Sequence, residues 1–318
     1  MARVMITGGS GYIGSHLATR LIPSHDVLTL DNKLPRLPHS SHALVDMRDK
    51  TALTEIVNSF RPDIVYHLAA ARQARESVRF RDHYEEVNIE ATKSLLGLLS
   101  NHDTSLVFTS SCSVFGSHEK VTEETPFSPQ SPYAETKIIG EQLIADSLCE
   151  DNYLILRLFN VVGSLRPSLM DTTGDALMRN FRTAVTSGEK LPIYGKGFET
   201  PDGTAIREYM HVGDVVDLLE KASDIPLRHL SPKPRRNIAG GTPLSVKQIA
   251  DIVNEAANRT QQAVLYLEQR AGDPSIITSE PSIGFPNWSP RRSIEQAISK
   301  EIKWLLTSQE AKETSDQY

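Results

Sequence analysis

The chain has 318 residues, 39% hydrophobic and 23% charged, which supplies material for a sizeable core in two lobes and excludes a disordered polypeptide. Its formal net charge of -6 gives no general electrostatic reason to bind nucleic acid or an anionic membrane, and no stretch is long and apolar enough to cross a bilayer. Two cysteines, Cys112 and Cys149, make neither a disulfide framework nor a metal-ligand cluster, so no metal is expected. The opening MARVMITGG runs straight into a strand pattern rather than a cleavable leader, which predicts a cytoplasmic location.

In chain order, Val4-Met5-Ile6 reads as a strand entering a glycine-rich turn, followed by a helix with Ile13, Leu17 and Leu21 on its apolar face. Residues 27–30 predict a second strand, ending at Asp31. Residues 64–68 and 106–109 predict two more, separated by a helix from about Tyr84 to Leu99, and residues 154–159 another. Short apolar strands alternating with helices imply an α/β fold, a Rossmann-like doubly wound parallel sheet. Beyond Asn160 the rhythm gives way to loops rich in Gly, Pro and Ser around a helix from Asp175 to about Ser187, the expected smaller mixed α/β substrate-binding lobe. Residues 212–219 and 236–239 are expected to return to the main sheet, Ser245 to cap a helix, and SIEQAISKEIKWLL to form an amphipathic helix with a frayed tail. The expected division is 1–163 for the dinucleotide-binding domain, 164–211 for the lobe, 212–241 for the return, and 242–318 mainly for the lobe and C-terminal helix.

VMITGGSGYIG sets Gly8, Gly9, Gly11 and Gly14 between strand and helix, where small residues let the backbone approach a diphosphate and the helix N-terminus offers amide donors. Asp31 can accept hydrogen bonds from both hydroxyls of a ribose, which favours NAD over a 2′-phosphorylated cofactor, while Lys33 and Arg36 nearby pull the other way. SPYAETK places Tyr133 and Lys137 one turn apart on one helix face. An ammonium beside a phenol, with a positive nicotinamide nearby, favours the phenolate and lowers the tyrosine pKa, giving a base for oxidising a carbinol. At the end of the strand 106–109, TSSCSVFG leaves open whether a serine or Cys112 works there.

These motifs, with DN at 31, HLAA at 67, LRLFNVVG, DGTAIREYMHVGDV and AGGTPLSV, follow one another as in the extended short-chain dehydrogenase/reductase family. Within it the chain most resembles the UDP-glucose (UDP-galactose) 4-epimerases and related nucleotide-sugar epimerases and dehydratases. The resemblance implies a catalytic set of Ser111, Tyr133 and Lys137, with Tyr133 as acid/base, Ser111 on the substrate side and Lys137 on the nicotinamide ribose. It implies NAD contacts from Gly8, Gly11, Tyr12, Ile13 and Gly14, from Asp31 and Asn32, from Asp46 and Met47 at the adenine, and from Leu68, Ala69, Ala70 and Asn88. Arg72, at a lysine's place, would serve the cofactor phosphate or cap its own loop.

Substrate contacts are implied for Ser111, Cys112, Ser113 and Tyr133, for Asn160, Arg207 and Arg270 at the diphosphate, for Asp273 at the ribose, and for Leu177 and Ala176, the latter replacing an asparagine. Ile277 falls roughly where epimerases gate N-acetylated sugars, and His211 is expected to be a structural hydrogen-bonding residue. The implied activity is NAD-dependent 4-epimerisation of a UDP-hexose, glucose/galactose or an N-acetylated or uronic acid analogue. The implied assembly is a homodimer through helices around 85–99 and 133–148. The alternative is the same C4 oxidation leading to dehydration, 5-epimerisation or decarboxylation, with Cys112 as accessory acid/base. Against it, the Asp-Glu pair of the 4,6-dehydratases is Cys112-Ser113 here. A non-catalytic NAD-sensing or scaffold protein is the remaining reading.

Overall fold

A computed structural model describes residues 1–37, 41–100, 102–171, 177–231, 233–270, 273–280 and 285–315, with side chains to 308 in the last helix. Its strands are β1 (Arg3–Thr7), β2 (Asp26–Asp31), β3 (His42–Leu44), β4 (Ile64–His67), β5 (Ser105–Ser111), β6 (Lys120–Val121), β7 (Tyr153–Leu158), β8 (Asn160–Val162), β9 (Leu191–Tyr194), β10 (Ile206–His211), β11 (Arg235–Ile238), β12 (Pro243–Ser245), β13 (Val264–Leu267) and β14 (Ile276–Ser279). Seven form the main sheet in the order β11-β7-β5-β4-β1-β2-β3, parallel throughout. The order reverses beside β1, so the crevice beyond the ends of β1 and β4 is where a doubly wound sheet takes a ligand. Buried Val, Ile and Leu side chains project from both faces. One face packs helices Tyr12–Leu21 and Val212–Asp224, the other Lys50–Phe60, Ala91–Leu99 and Pro132–Ser147.

A second sheet, β12-β10-β14-β6 with β8 pairing the last residues of β10 (Tyr209 to His211), and the pair β9 with β13 build the smaller lobe. Its core joins helices Leu177–Thr186, Val246–Ala256 and Ile294–Ser315. Phe159 alone separates β7 in the large sheet from β8 in the small one, so the chain crosses between them beside the crevice.

Three expectations about elements need correction. Residues 212–219 are not a strand but the start of helix Val212–Asp224. Val212, Val215, Val216 and Leu219 recur at helical spacing and are buried, and His211 Nδ1 caps the helix by accepting from the Gly213 amide at 2.8 Å. The helix expected over 84–99 is interrupted, running as Arg81–Glu85, a π-helical turn Glu86–Glu90 and then Ala91–Leu99. The helix Ile294–Ser315 continues through most of the segment expected to fray. Ser245 caps as expected, in a full capping box with Gln248. Among the described residues no helix is long and apolar enough to cross a membrane.

Candidate functional site

A cavity of about 1230 Å³ opens along the ends of β1, β2, β4 and β5 and reaches the smaller lobe. Its floor is the turn after β1. Gly8 has φ +71°, and a Cβ there would lie 2.7 Å from the Ala69 amide nitrogen, so the loops after β1 and β4 meet only because this residue is glycine. A Cβ on Gly14 would lie 2.2 Å from the Gly8 carbonyl oxygen, closing the cradle from the helix side. Asp31, at the end of β2, accepts from the amides of Ser10 and Lys33, both at 3.0 Å, and lines the cavity together with Asn32. Asp46 and Met47 line it further out, where Arg48 grips the Asp46 carboxylate at 2.7 Å and holds it below the usual carboxylate range. A glycine-floored groove beside the helix N-terminus, ending in a carboxylate at β2, fits a dinucleotide such as NAD.

At the other end, Ser111, Tyr133 and Lys137 converge on the same cavity. Ser111 ends β5, and Tyr133 and Lys137 lie on helix Pro132–Ser147, whose first turn Ser131 caps through the Ala134 amide. The Tyr133 amide donates to Ser77 Oγ at 3.0 Å, and its phenol is hydrogen-bonded to Ser111. Lys137 Nζ donates to the Thr109 carbonyl at 2.8 Å and lies 4.7 Å from the centre of the Phe108 ring. Burial pushes Lys137 down to about 8, with Glu141 working against it. Burial pushes the Tyr133 phenol up to about 12, and the Ser111 hydrogen bond and Arg72 offset only part of that.

Most of the expected residues line the cavity, including Tyr12, Ile13, Leu68, Ala69, Ala70, Arg72, Asn160, Leu177, Arg270 and Asp273. Four do not, each for a visible reason. Asn88 is buried behind the wall, where its Oδ1 accepts from the Ala71 amide at 2.8 Å and its Nδ2 donates to the Ala71 carbonyl and Thr136 Oγ1. It therefore shapes the Leu68–Arg72 loop rather than facing the groove. Arg207 donates to the carbonyls of Ile206, Pro274 and Ser275. Cys112 and Ser113 lie off the cavity lining in the short helix after Ser111, where Cys112 packs against the cluster that includes Phe115, Phe159 and Ile277. Ala176 lies outside the described residues.

Three cavity residues, Asp171, Arg182 and Glu301, had no sequence signal, and the residues around them show how they are held. Arg72 holds Asp171 through both carboxylate oxygens, at 2.9 and 2.8 Å, and Arg36 donates to the Leu169 and Met170 carbonyls, so the segment 169–171 is strapped over the groove. Arg182 reaches the Asp171 carbonyl and pairs with buried Glu301 at 2.6 Å, and the Tyr12 hydroxyl donates to the Gly163 carbonyl. Arg270 stacks on Tyr194 with its guanidinium carbon 3.7 Å from the ring centre, and its buried Nε has no hydrogen-bond partner among the described residues.

The model of the NAD dependent epimerase/dehydratase family matches residues 4–233. The chain belongs to this family. Among its curated relatives, UDP-arabinose 4-epimerase 1 of Arabidopsis thaliana is 30% identical over 99% of this chain and 78% of its own length. UDP-glucose 4-epimerase of Yersinia pestis is 30% identical over 95% of this chain and 96% of its own. The solved structure of UDP-glucose-4-epimerase from Stenotrophomonas maltophila, with bound NAD and formylated UDP-arabinopyranose, superposes with a TM-score of 0.84 at 26% identity, covering 98% of this chain and all of that one. In this family member the glycine turn, Asp31 and the Ser111–Tyr133–Lys137 cluster open into one space.

Proposed function

We propose that the chain is an NAD-dependent UDP-sugar 4-epimerase. The observation that carries this reading is the convergence of Ser111, Tyr133 and Lys137 on the cavity floored by Gly8, Gly11 and Gly14. NAD supplies a reversible acceptor for the hydrogen at C4 together with its electron pair. Tyr133 takes the C4 hydroxyl proton, directly or through Ser111, and returns it after the sugar has turned over. Lys137, fixed by the Thr109 carbonyl, faces the nicotinamide ribose and favours the Tyr133 phenolate. Asn160 and Arg270 hold the diphosphate and Asp273 the ribose, so the nucleotide stays anchored while the sugar presents its other face. Arg270 supports this role because its buried Nε still lacks a partner among the described residues. Arg207 serves the same end of the site indirectly, by holding the backbone at Pro274 and Ser275.

The Cys112 thiol is pushed up to about 11 by burial and lies off the cavity, which favours epimerisation over chemistry needing a second acid/base at C5. The reading also places the protein in the cytoplasm as a homodimer, joined through helices Ala91–Leu99 and Pro132–Ser147. The latter exposes Ile139. The test is incubation of the protein and NAD in D2O with UDP-glucose, UDP-arabinopyranose, UDP-N-acetylglucosamine and UDP-glucuronic acid, each followed by proton NMR. Inversion at C4 with unchanged mass and no deuterium at C5 is expected. Loss of water or carbon dioxide, or label at C5, refutes it.

A further inference from the structure

Behind the catalytic face lies a buried ion pair that these steps do not use. Glu141 sits one turn beyond Lys137 on helix Pro132–Ser147, and Arg157 lies on β7. Their side chains are 2% and 3% exposed, with Arg157 Nη2 2.7 Å from Glu141 Oε2. Glu141 Oε1 also accepts from Arg157 Nε at 2.9 Å and from Ser110 Oγ at 2.6 Å. Arg157 is held from behind, its guanidinium carbon 5.3 and 4.9 Å from the ring centres of Phe115 and Phe127 and its Nη1 donating to the Glu123 carbonyl. Ser110 pairs with Arg157 across β5 and β7 and immediately precedes Ser111, while Thr109 gives its carbonyl to Lys137. One carboxylate, carried on the helix of Tyr133 and Lys137, thus grips the strand that carries Ser111.

A hydrophobic pair of the same volume would join helix and strand as firmly, because the attraction of a buried ion pair is largely offset by its desolvation. What it would lack is a negative charge one turn from a buried ammonium. Around Lys137 stand the Phe108 ring, the Thr109 carbonyl, Tyr133 on the same helix and His67 on β4. Burial and the Lys137 charge keep His67 neutral, down to about 3. Glu141 is the carboxylate that opposes the cost of burying Lys137.

We propose that Glu141, held by Arg157 and Ser110, is a positioning residue for the epimerisation: it registers the serine strand against the tyrosine helix and keeps Lys137 cationic at neutral pH. This rests on the roles given above to Ser111, Tyr133 and Lys137. The test compares the native protein with Glu141→Gln, with the double variant Glu141→Gln/Arg157→Gln and with Lys137→Met. Two readouts are taken, namely the pH profile of kcat/KM for the UDP-sugar turned over, and the titration of Lys137 by NMR of ε-carbon-labelled lysine, assigned through Lys137→Met.

In Glu141→Gln the Lys137 midpoint and the alkaline limb of kcat/KM both move down by about one pH unit, giving roughly a tenfold loss at pH 9 and far less at pH 6. The double variant removes both buried charges and leaves only half-exposed Arg235, 4.0 Å from Glu141 Oε2, to water; it remains folded by its melting curve and keeps the shifted limb. A limb and midpoint that stay put in both variants, or a native profile restored in the double variant, would reduce Glu141 to a structural partner of Arg157 and overturn the proposal. Full activity in Lys137→Met, or no turnover of any UDP-sugar by the native protein, would remove the site assignment itself and the proposal with it. An inactive Lys137→Met beside an unmoved limb in the Glu141 variants removes the proposal alone.

Discussion

Asn88 offers a quantitative test of how the wall of the cofactor groove is held. Its amide makes three hydrogen bonds, to both polar groups of the Ala71 backbone and to Thr136 Oγ1, at 2.8, 2.9 and 3.0 Å, and the residue is 4% exposed. Asn88→Ala removes all three and leaves the buried Thr136 hydroxyl with only its bond to the Tyr133 carbonyl. Ala71 is only half-buried, so water recovers part of the loss there. At about 1 kcal/mol for each lost bond, the variant is expected to lose roughly 2–3 kcal/mol of unfolding free energy. Because Leu68, Ala69 and Ala70 line the groove just before the clamped residue, NAD affinity falls as well, by about tenfold if half of that energy orders the loop. Asn88→Asp discriminates further. A carboxylate still accepts from the Ala71 amide but faces the Ala71 carbonyl with no proton to give, so it is expected to be at least as damaging as alanine. Urea unfolding and calorimetric titration with NAD measure the two quantities. Native affinity in both variants would show that the loop holds its shape without the clamp and would refute the reasoning.

Two other expectations follow from the buried titratable groups. With Cys149 changed to serine to remove the exposed thiol, Cys112 is expected to alkylate with iodoacetamide at pH 7.5 far more slowly than free cysteine, and Cys112→Ala to retain 4-epimerisation within threefold. Rapid alkylation, or loss of turnover in the alanine variant, would return Cys112 to the chemistry. His16, His67 and His211 are held by burial at about 4, about 3 and about 4, each below the ordinary 6.5. A depressed folded value means that the unfolded chain binds more protons between those values. The stability they confer is therefore complete above pH 6.5 and drains as pH falls toward 4, at about 1.4 kcal/mol per pH unit for each histidine. Urea midpoints at pH 7 and pH 5 that coincide would contradict this.

The parts of the site that could be read in the sequence are those whose geometry is local. Gly8 to Gly14 and the pair Tyr133 and Lys137 each sit within a few residues, so helix periodicity and turn chemistry fix them. Where side chains meet across long separations, the residue types alone were ambiguous. Arg207 carries the motif of a phosphate ligand, yet carbonyls some 67 and 68 residues away at Pro274 and Ser275 occupy its guanidinium. Asn88 and Ala71 lie 17 residues apart across the π-helical turn that also breaks the expected helix. Residues 212–219 return to the main sheet as a helix against its face, and the sequence signal for that is His211 as a cap followed by apolar positions at helical spacing.

The position of β11 has a consequence for how the chain becomes a protein. β11 covers the edge of β7 in the main sheet, yet it begins 77 residues after β7 ends, once β9 and β10 of the smaller lobe have already been made. During synthesis β7 therefore waits as an open edge carrying Leu154 and Leu156, the kind of exposed strand that invites pairing with another nascent chain. The helix Val212–Asp224 emerges first and can cover the sheet's face before its edge is sealed. Synthesis beyond Ile238 thus marks the point at which β7 passes from the sheet's edge to its interior and the edge is handed to β11, which carries Arg235 and Arg236.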